Sequence, residues 1–343
     1  MTKRLWQLDS LRGIAAISVV LYHYFYRYTE LFNSEVQTEN SFISYGHYGV
    51  YLFFIISGFV ISMSLSPRTT LKQFTRSRFL RLYPVYWIAV CITFITVSFF
   101  GLENREVPIT DFLMNFTMMQ GFLGFQNVDG VYWTLRVELS FYVLIGLFYY
   151  LTQRKLSFTT FAVIWVIISF VLLNFWHIQF ARYLAIVIAA KFSIPFSLGI
   201  IFYEYYKKPS KENVFYIAQA TLLILLYFSS EMELVDYHWL PVLLCYGLFY
   251  FSISCTNYKL WNTFLRLFTW LGTISYSLYL IHQNIGYIVI ENVESTFNSN
   301  ILGILCALLF SILLAKLLYL LIEQPISQLS KRLKNNEKNL LPH

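Results

Sequence analysis

Ten stretches of about 20 mostly apolar residues decide what this chain can fold into. They run roughly over 11–28, 47–66, 82–100, 131–151, 158–176, 183–204, 214–230, 238–255, 267–290 and 301–322. A segment of that kind in hydrocarbon must satisfy its own backbone N–H and C=O groups, and a helix does so within one segment. Of the 343 residues, 57% are hydrophobic and only 13% charged, about half the charged share of a soluble domain. The expectation is an all-α polytopic membrane protein of about ten transmembrane helices. Residues 1–330 form one transmembrane domain and 331–343 a basic cytoplasmic tail. A cleavable signal peptide is not expected, because the first apolar stretch has no small-residue cleavage site and continues into aromatic residues. Cys91, Cys245, Cys255 and Cys306 all fall inside apolar stretches. They read as small buried residues rather than metal ligands.

The net charge of +7 could suggest a nucleic-acid partner, but its distribution argues against one. With the N-terminus inside, Arg27, Arg105 and Arg182 fall on outer segments, and Arg136, Lys191 and Lys316 lie within spans. Every other Lys and Arg faces the cytoplasm, the pattern that sets membrane orientation. Acidic residues gather in "TELFNSEVQTEN", "EMELVD" and "ENVES", on the opposite side. The alternation also decides the reading of "DFLMNFTMMQGFLGFQ", 111–126. Were it to cross, every later basic loop would move outside. It is therefore expected as a re-entrant or interfacial segment on the outer face, covered by protein or water.

Ionisable side chains inside spans are costly and usually face the bundle interior, which makes them informative. Arg12 and His23 stand eleven residues apart, about three helical turns, so they share a face and lie ~16 Å apart along the axis. That spacing suits an elongated ligand with anionic groups at one end and a reactive centre at the other, as in acyl-coenzyme A. It equally suits a lip arginine snorkelling to headgroups and a histidine bonded to a neighbouring helix. Arg76, Arg78 and Arg81 crowd the cytoplasmic start of the third span. They can grip phosphate or simply form a positive-inside loop. Glu138 lies seven residues into a span entered from outside, ~10 Å below the outer edge and so near the depth of His23. A carboxylate there can orient an imidazole and raise its basicity. Arg136, two residues away, does not face it. Ser275, Tyr279 and His282 form one polar stripe on a helix, which could line a substrate channel or hydrogen-bond to neighbouring helices. Lys191 and Lys316 take no assignment. His47, His177 and His238 read as interfacial, and Glu323 as structural.

Five stretches in order resemble the acyltransferase-3 family of bacterial integral membrane O-acyltransferases, over about residues 5–330. "LDSLRGIAAISVVLYHY" carries the Arg and His separated by ten residues, and "GVYLFFIISGFVIS" resembles the family's second helix. "RSRFLRLYPVYW" holds an Arg-x-x-Arg pair as Arg78 and Arg81. "WTLRVELSFY" matches a tryptophan-to-glutamate motif at Trp133 and Glu138. "ISYSLYLIH" matches a late motif as Ser275, Tyr276, Tyr279 and His282.

The resemblance implies ten spans in the bacterial cytoplasmic membrane, with both termini cytoplasmic. It implies an acyl-CoA donor, most often acetyl-CoA, and no metal. The acceptor would be a hydroxyl of a surface polysaccharide or lipid-linked glycan. His23 is then the expected catalytic base, which Glu138 is expected to orient as the second catalytic residue. Arg12, Arg78 and Arg81, joined by Arg76, hold the donor. Trp133, Tyr142, Ser275, Tyr276, Tyr279 and His282 are the substrate-binding candidates. Some relatives carry an extracytoplasmic domain that completes the transfer; none is expected here, so the membrane part or a separate transferase would finish the reaction. Membrane lipid is the remaining partner. Two other readings stay open on the residues alone: a glycolipid transporter or flippase using the buried ionisable groups as a proton relay, and a non-catalytic partner of a polysaccharide assembly.

Overall fold

The computed structural model describes residues 5–32, 42–66, 69–153, 155–208, 215–216, 218–222, 224–225, 238–255 and 257–339. Every regular element among them is helical. The expected span at 214–230 falls partly outside the described residues. Much of both acidic stretches at 29–40 and 231–236 and the last four residues of the tail lie outside them as well.

In chain order, α1 spans Trp6–Tyr22 and passes through a π-helical turn, His23–Arg27, into α2, Tyr28–Phe32. A 3₁₀ segment, Phe42–Tyr48, leads into α3, Gly49–Ser64, and α4 is the long helix Leu71–Phe100. Two short pieces follow, α5 (Ile109–Asn115) and α6 (Gln120–Leu123), before α7, Trp133–Leu151. Then come α8 (Phe158–Asn174), α9 (Gln179–Val187), α10 (Ser193–Lys207), α11 (Trp239–Ser254) and α12 (Lys259–Arg266). The last group is α13 (Thr269–Ile281), α14 (Gln283–Phe297), α15 (Asn300–Leu318), a second π turn at Tyr319–Glu323, and α16 (Gln324–Asn339).

Five described helical stretches are long and apolar enough to cross a membrane, or six when Gln179–Val187 and Ala190–Lys207, bent by 51°, count together. This is fewer than the ten apolar stretches, for local reasons. Phe158–Asn174 and Trp239–Ser254 are shorter apolar helices, and the apolar run 267–290 breaks at His282. Conversely, α4 starts eleven residues before its apolar part, so Arg76, Arg78 and Arg81 sit on helix rather than in a loop.

The chain divides into two compact units. The first holds Met1–Ala15, Tyr48–Leu71 and Val137–Leu267. Its centre is the crossing of α3 and α10. A Cβ at Gly58 would lie 2.1 Å from the Phe196 carbonyl oxygen, and one at Gly199 would lie 1.9 Å from that of Ile55. Small residues at such a crossing let two backbones meet. Around it Phe54, Phe141, Trp165 and Phe196 stack, with Phe141 and Phe196 centroids 4.2 Å apart. Lys191, inside an apolar run, places its ammonium over the Trp176 ring at 5.4 Å.

The second unit holds Ala16–His47, Lys72–Arg136 and Phe268–His343. Here α13, α14 and α15 pack together. The 3₁₀ segment docks on the end of α1, where a Cβ at Gly46 would meet the Ser18 carbonyl oxygen at 2.3 Å. Segment 111–126 forms the two short helices, broken where Met118 and Gly124 adopt positive φ. Its backbone is held by buried polar side chains. Asn115 donates to the Asp111 and Gln126 carbonyls at 2.7 and 2.8 Å, and the Gln126 and Val128 amides donate to Asp111 and Asn115. The four cysteines are free and partly buried. Lys316 is exposed on α15.

Replacing Gly199 by Leu forces α3 and α10 apart. The expected loss is about 1–3 kcal/mol or more, read as a lower thermal midpoint of the detergent-purified protein, while Gly247→Ala, at a position with open space around its Cα, leaves the midpoint within error.

Candidate functional site

His23 opens the π turn that ends α1. A π turn places one extra residue in a helical turn and re-aims the side chains at that point; such turns recur at functional sites. The His23 ring turns its Nδ1 toward the Val19 carbonyl, 2.9 Å away. The same nitrogen lies 3.1 Å from Nε2 of His282, and the rings meet edge-on with centroids 4.9 Å apart. His282 is fully buried at the break between α13 and α14. Its Nδ1 faces two carbonyls of α13, Tyr279 at 2.9 Å and Leu278 at 3.2 Å.

These contacts assign the protons. A carbonyl only accepts, so Nδ1 of His282 carries hydrogen and its Nε2 presents a lone pair. Nδ1 of His23 then sits between two acceptors and carries hydrogen itself. The lone pair of His23 is left on Nε2, which has no hydrogen-bond partner among the described residues. An imidazole in this state is ready to take a proton at Nε2.

The neighbourhood is organised to keep the two rings together. The Tyr24 hydroxyl donates to the His282 carbonyl and meets Ser311 Oγ, both at 2.7 Å. Gly286 leaves room for it, since a Cβ there would lie 2.1 Å from the Tyr24 oxygen. Thr134 and Tyr279 share a 2.9 Å hydrogen bond, and Tyr132 donates to the Leu280 carbonyl at 3.2 Å. Ahead of α7, the buried Asp129 accepts from the Val131 and Asn284 amides at 3.2 and 3.1 Å. Burial pushes the Asp129 carboxyl up to about 6, while those two amides and the Arg105 cation pull it down. Tyr287 lies 6.5 Å from His23, ring to ring.

A second cluster in the same unit surrounds Arg81. Its Nη1 donates to the Glu323 carboxylate at 2.5 Å, and its guanidinium lies 5.4 Å from the Tyr276 ring centroid. Glu323 closes the second π turn and is buried. Its other oxygen accepts from Ser277 at 2.9 Å. Tyr276 donates to the Leu82 carbonyl at 2.8 Å. Arg78 lies along Phe74, with its guanidinium 5.9 Å from the ring. Arg136 stacks over Phe122 at 5.0 Å.

In the other unit, Glu138 accepts from Ser57 at 3.1 Å and from the buried Tyr142 hydroxyl. Arg12 lies 3.8 Å from Asp9 on α1. In the second unit, the Ser275 hydroxyl turns back to the Gly272 carbonyl of its own helix, and Trp133 is half-buried at the start of α7. Among the described residues no group of three His, Cys, Asp or Glu is placed to hold a metal ion.

Of the stripe read on α13, Tyr279 and His282 reach other elements and Ser275 does not. Tyr24, Gly286, Asp129 and Asn284 were not singled out from the sequence. Each is ordinary by itself, although an aspartate directly before an apolar run, as in "NVDGVYW", is a usable cue.

The helices and the paired imidazoles define a helical integral membrane protein with a polar centre in an apolar interior. The chain belongs to the acyltransferase-3 family, whose acyltransferase domain matches residues 5–320. It is 26% identical to Nodulation protein 10 of Rhizobium leguminosarum bv. viciae, over 48% of this chain and 50% of that protein. It is 27% identical to Acyltransferase MdmB of Streptomyces mycarofaciens, over 44% and 41%. It is 22% identical to YrhL of Bacillus subtilis (strain 168), assigned by name as a peptidoglycan O-acetyltransferase, over 93% of this chain and 54% of that protein. The chain thus spans about half the length of these curated relatives. No solved structure matches it.

Glu323→Ala leaves Arg81 and Ser277 without their shared acceptor. The expected loss is about 1–3 kcal/mol, below that of a fully buried pair because the Arg81 side chain is 38% exposed. Adding Arg81→Met should recover part of it, measured as a double-mutant cycle on thermal midpoints.

Proposed function

We propose that this protein is an O-acyltransferase that moves an acyl group, most simply acetyl, from acyl-CoA to a hydroxyl of an extracytoplasmic glycan. The observation that carries the reading is the state of His23: a partly buried imidazole in a π turn, with Nδ1 committed and Nε2 without a hydrogen-bond partner among the described residues. Membership of an acyltransferase family supports it, as does the name of the Bacillus relative.

In this reading the acceptor hydroxyl gives its proton to His23 Nε2 as its oxygen attacks the thioester carbon. The new C–O bond forms, the C–S bond breaks, and the proton passes from His23 to the departing thiolate. A placed general base contributes typically 10²–10⁴-fold, and alignment of the two substrates supplies the rest. A variant route passes through an acyl-imidazole on His23, which water or the acceptor hydroxyl then resolves.

The guanidinium groups of Arg76, Arg78 and Arg81 suit the donor's phosphates by charge and fork geometry; Glu323 holds Arg81 in place for that task. Arg12 is a further donor cation. Glu138 is proposed as a second catalytic residue, and Trp133, Tyr142, Ser275, Tyr276 and Tyr279 as substrate-binding residues. The proposed setting is a bacterial cytoplasmic membrane, crossed ten times, with both termini cytoplasmic and segment 111–126 on the outer face.

Purified His23→Ala is expected to fold but to lose coenzyme A release and ester formation from acetyl-CoA by ~10²-fold or more. Activity at the wild-type level would end this mechanism. Acyl label retained on wild-type protein and absent from His23→Ala would select the acyl-imidazole route. Arg76→Ala with Arg78→Ala should raise the donor KM by ~10-fold or more with kcat little changed, the signature of lost binding rather than lost chemistry; an unchanged donor KM removes these two residues from the donor site.

A further inference from the structure

We propose that His282 is the positioning residue of the reaction: it fixes the orientation of the His23 ring, whose tautomer it sets together with the Val19 carbonyl, and receives the bond that strengthens when His23 becomes charged. The proposal rests on the reading of His23 as the base.

His23 makes two contacts through Nδ1, and they are not equivalent. The Val19 carbonyl lies one turn back on the same helical run, so that bond travels with the ring and cannot fix it against anything else. The His282 bond crosses 259 residues of sequence and ties the ring to the break between α13 and α14. His282 cannot turn to escape this duty. Its Nδ1 is held by the Tyr279 and Leu278 carbonyls, its own carbonyl is held by Tyr24, and its side chain has no exposed surface. Only one nitrogen remains, and it points a lone pair at His23.

A residue serving merely to join two helices would need one hydrogen bond in either direction. Here the direction is imposed from behind by two acceptors. His282 and the Val19 carbonyl therefore both require the His23 form with hydrogen on Nδ1 and the lone pair on Nε2, and His282 holds that ring against a second element. When Nε2 takes the proton, the Nδ1–H group becomes a cationic donor. A hydrogen bond to a charged group is stronger than one between neutral groups, so the contact stabilises the protonated state more than the resting one. No carboxylate is needed for this; an imidazole locked as an acceptor does the same work in an apolar interior.

The test uses the full-length protein in lipid nanodiscs with acetyl-CoA and a glycan acceptor. His282→Leu removes the acceptor and should lower kcat about 10–100-fold, the rate equivalent of one charged hydrogen bond, with donor KM unchanged. His282→Gln keeps an acceptor oxygen and an N–H for the Tyr279 carbonyl, and should return kcat to within about 10-fold of wild type. Nitrogen-15 spectra of histidine-labelled protein should show hydrogen on Nδ1 of His23 in every variant, because the Val19 carbonyl remains, with the Nδ1 resonance close to wild type in the Gln variant and displaced in the Leu variant, which lacks the second acceptor. Should the Leu variant not fold, His282→Asn, one methylene shorter, replaces it with the same expectation.

Loss of activity in His23→Ala together with kcat within threefold of wild type in both His282→Leu and His282→Asn overturns the role of His282 alone. Full activity in His23→Ala overturns the parent reading instead. Equal loss in the Gln and Leu variants with an unchanged His23 spectrum also overturns the proposal, since it marks a packing role.

Discussion

The bond between the imidazoles of His23 and His282 is the constraint that the second unit is arranged to satisfy. In an apolar interior an unpartnered polar group loses the full energy of its hydration. Two rings that meet nitrogen to nitrogen must therefore agree on which one donates, and the agreement comes from the groups behind them. Carbonyls of α13 set His282. Tyr24, Ser311 and Gly286 set where its backbone lies. Thr134, Tyr132 and Asp129 tie the start of α7 to α13 and α14. The resulting imidazole has one reactive nitrogen, and the acyl-transfer chemistry proposed here needs no more than that from its base.

The two π turns deserve comparison because each carries an ionisable residue at its edge. His23 opens the first and Glu323 closes the second. An extra residue in a turn shifts the register of everything after it, so a side chain can be aimed inward without disturbing the apolar face on either side. Glu323 uses that freedom to hold Arg81 and Ser277 at once. A cation in the third turn of α4 is thereby kept in one place.

Much of the candidate site was legible before the fold. His23, His282, Arg81 and Tyr279 stood out because ionisable or hydroxylated residues in apolar stretches are expensive and so have reasons to be there. Their partners were not legible. Helical spacing reports depth and face, and on depth alone Glu138 was a natural neighbour for His23. The structure gives Glu138 hydrogen bonds from Ser57 and Tyr142, and it sets His282 against His23, a pairing that depth did not suggest. The break at His282 was equally hidden, since 267–290 reads as one uninterrupted apolar run. Hydropathy averages over a window and does not register a helix that stops and restarts.

By itself the sequence determined the class of protein, its helical content and the short roll of polar residues that an apolar interior must accommodate. It could do so because hydrophobicity and the backbone's need for hydrogen bonds are local properties, readable from one segment at a time. Which polar residue meets which was decided only by the tertiary structure. Residues 259 positions apart are brought together by helix packing, and the direction of the hydrogen bond between them depends on carbonyls that no side-chain pattern records.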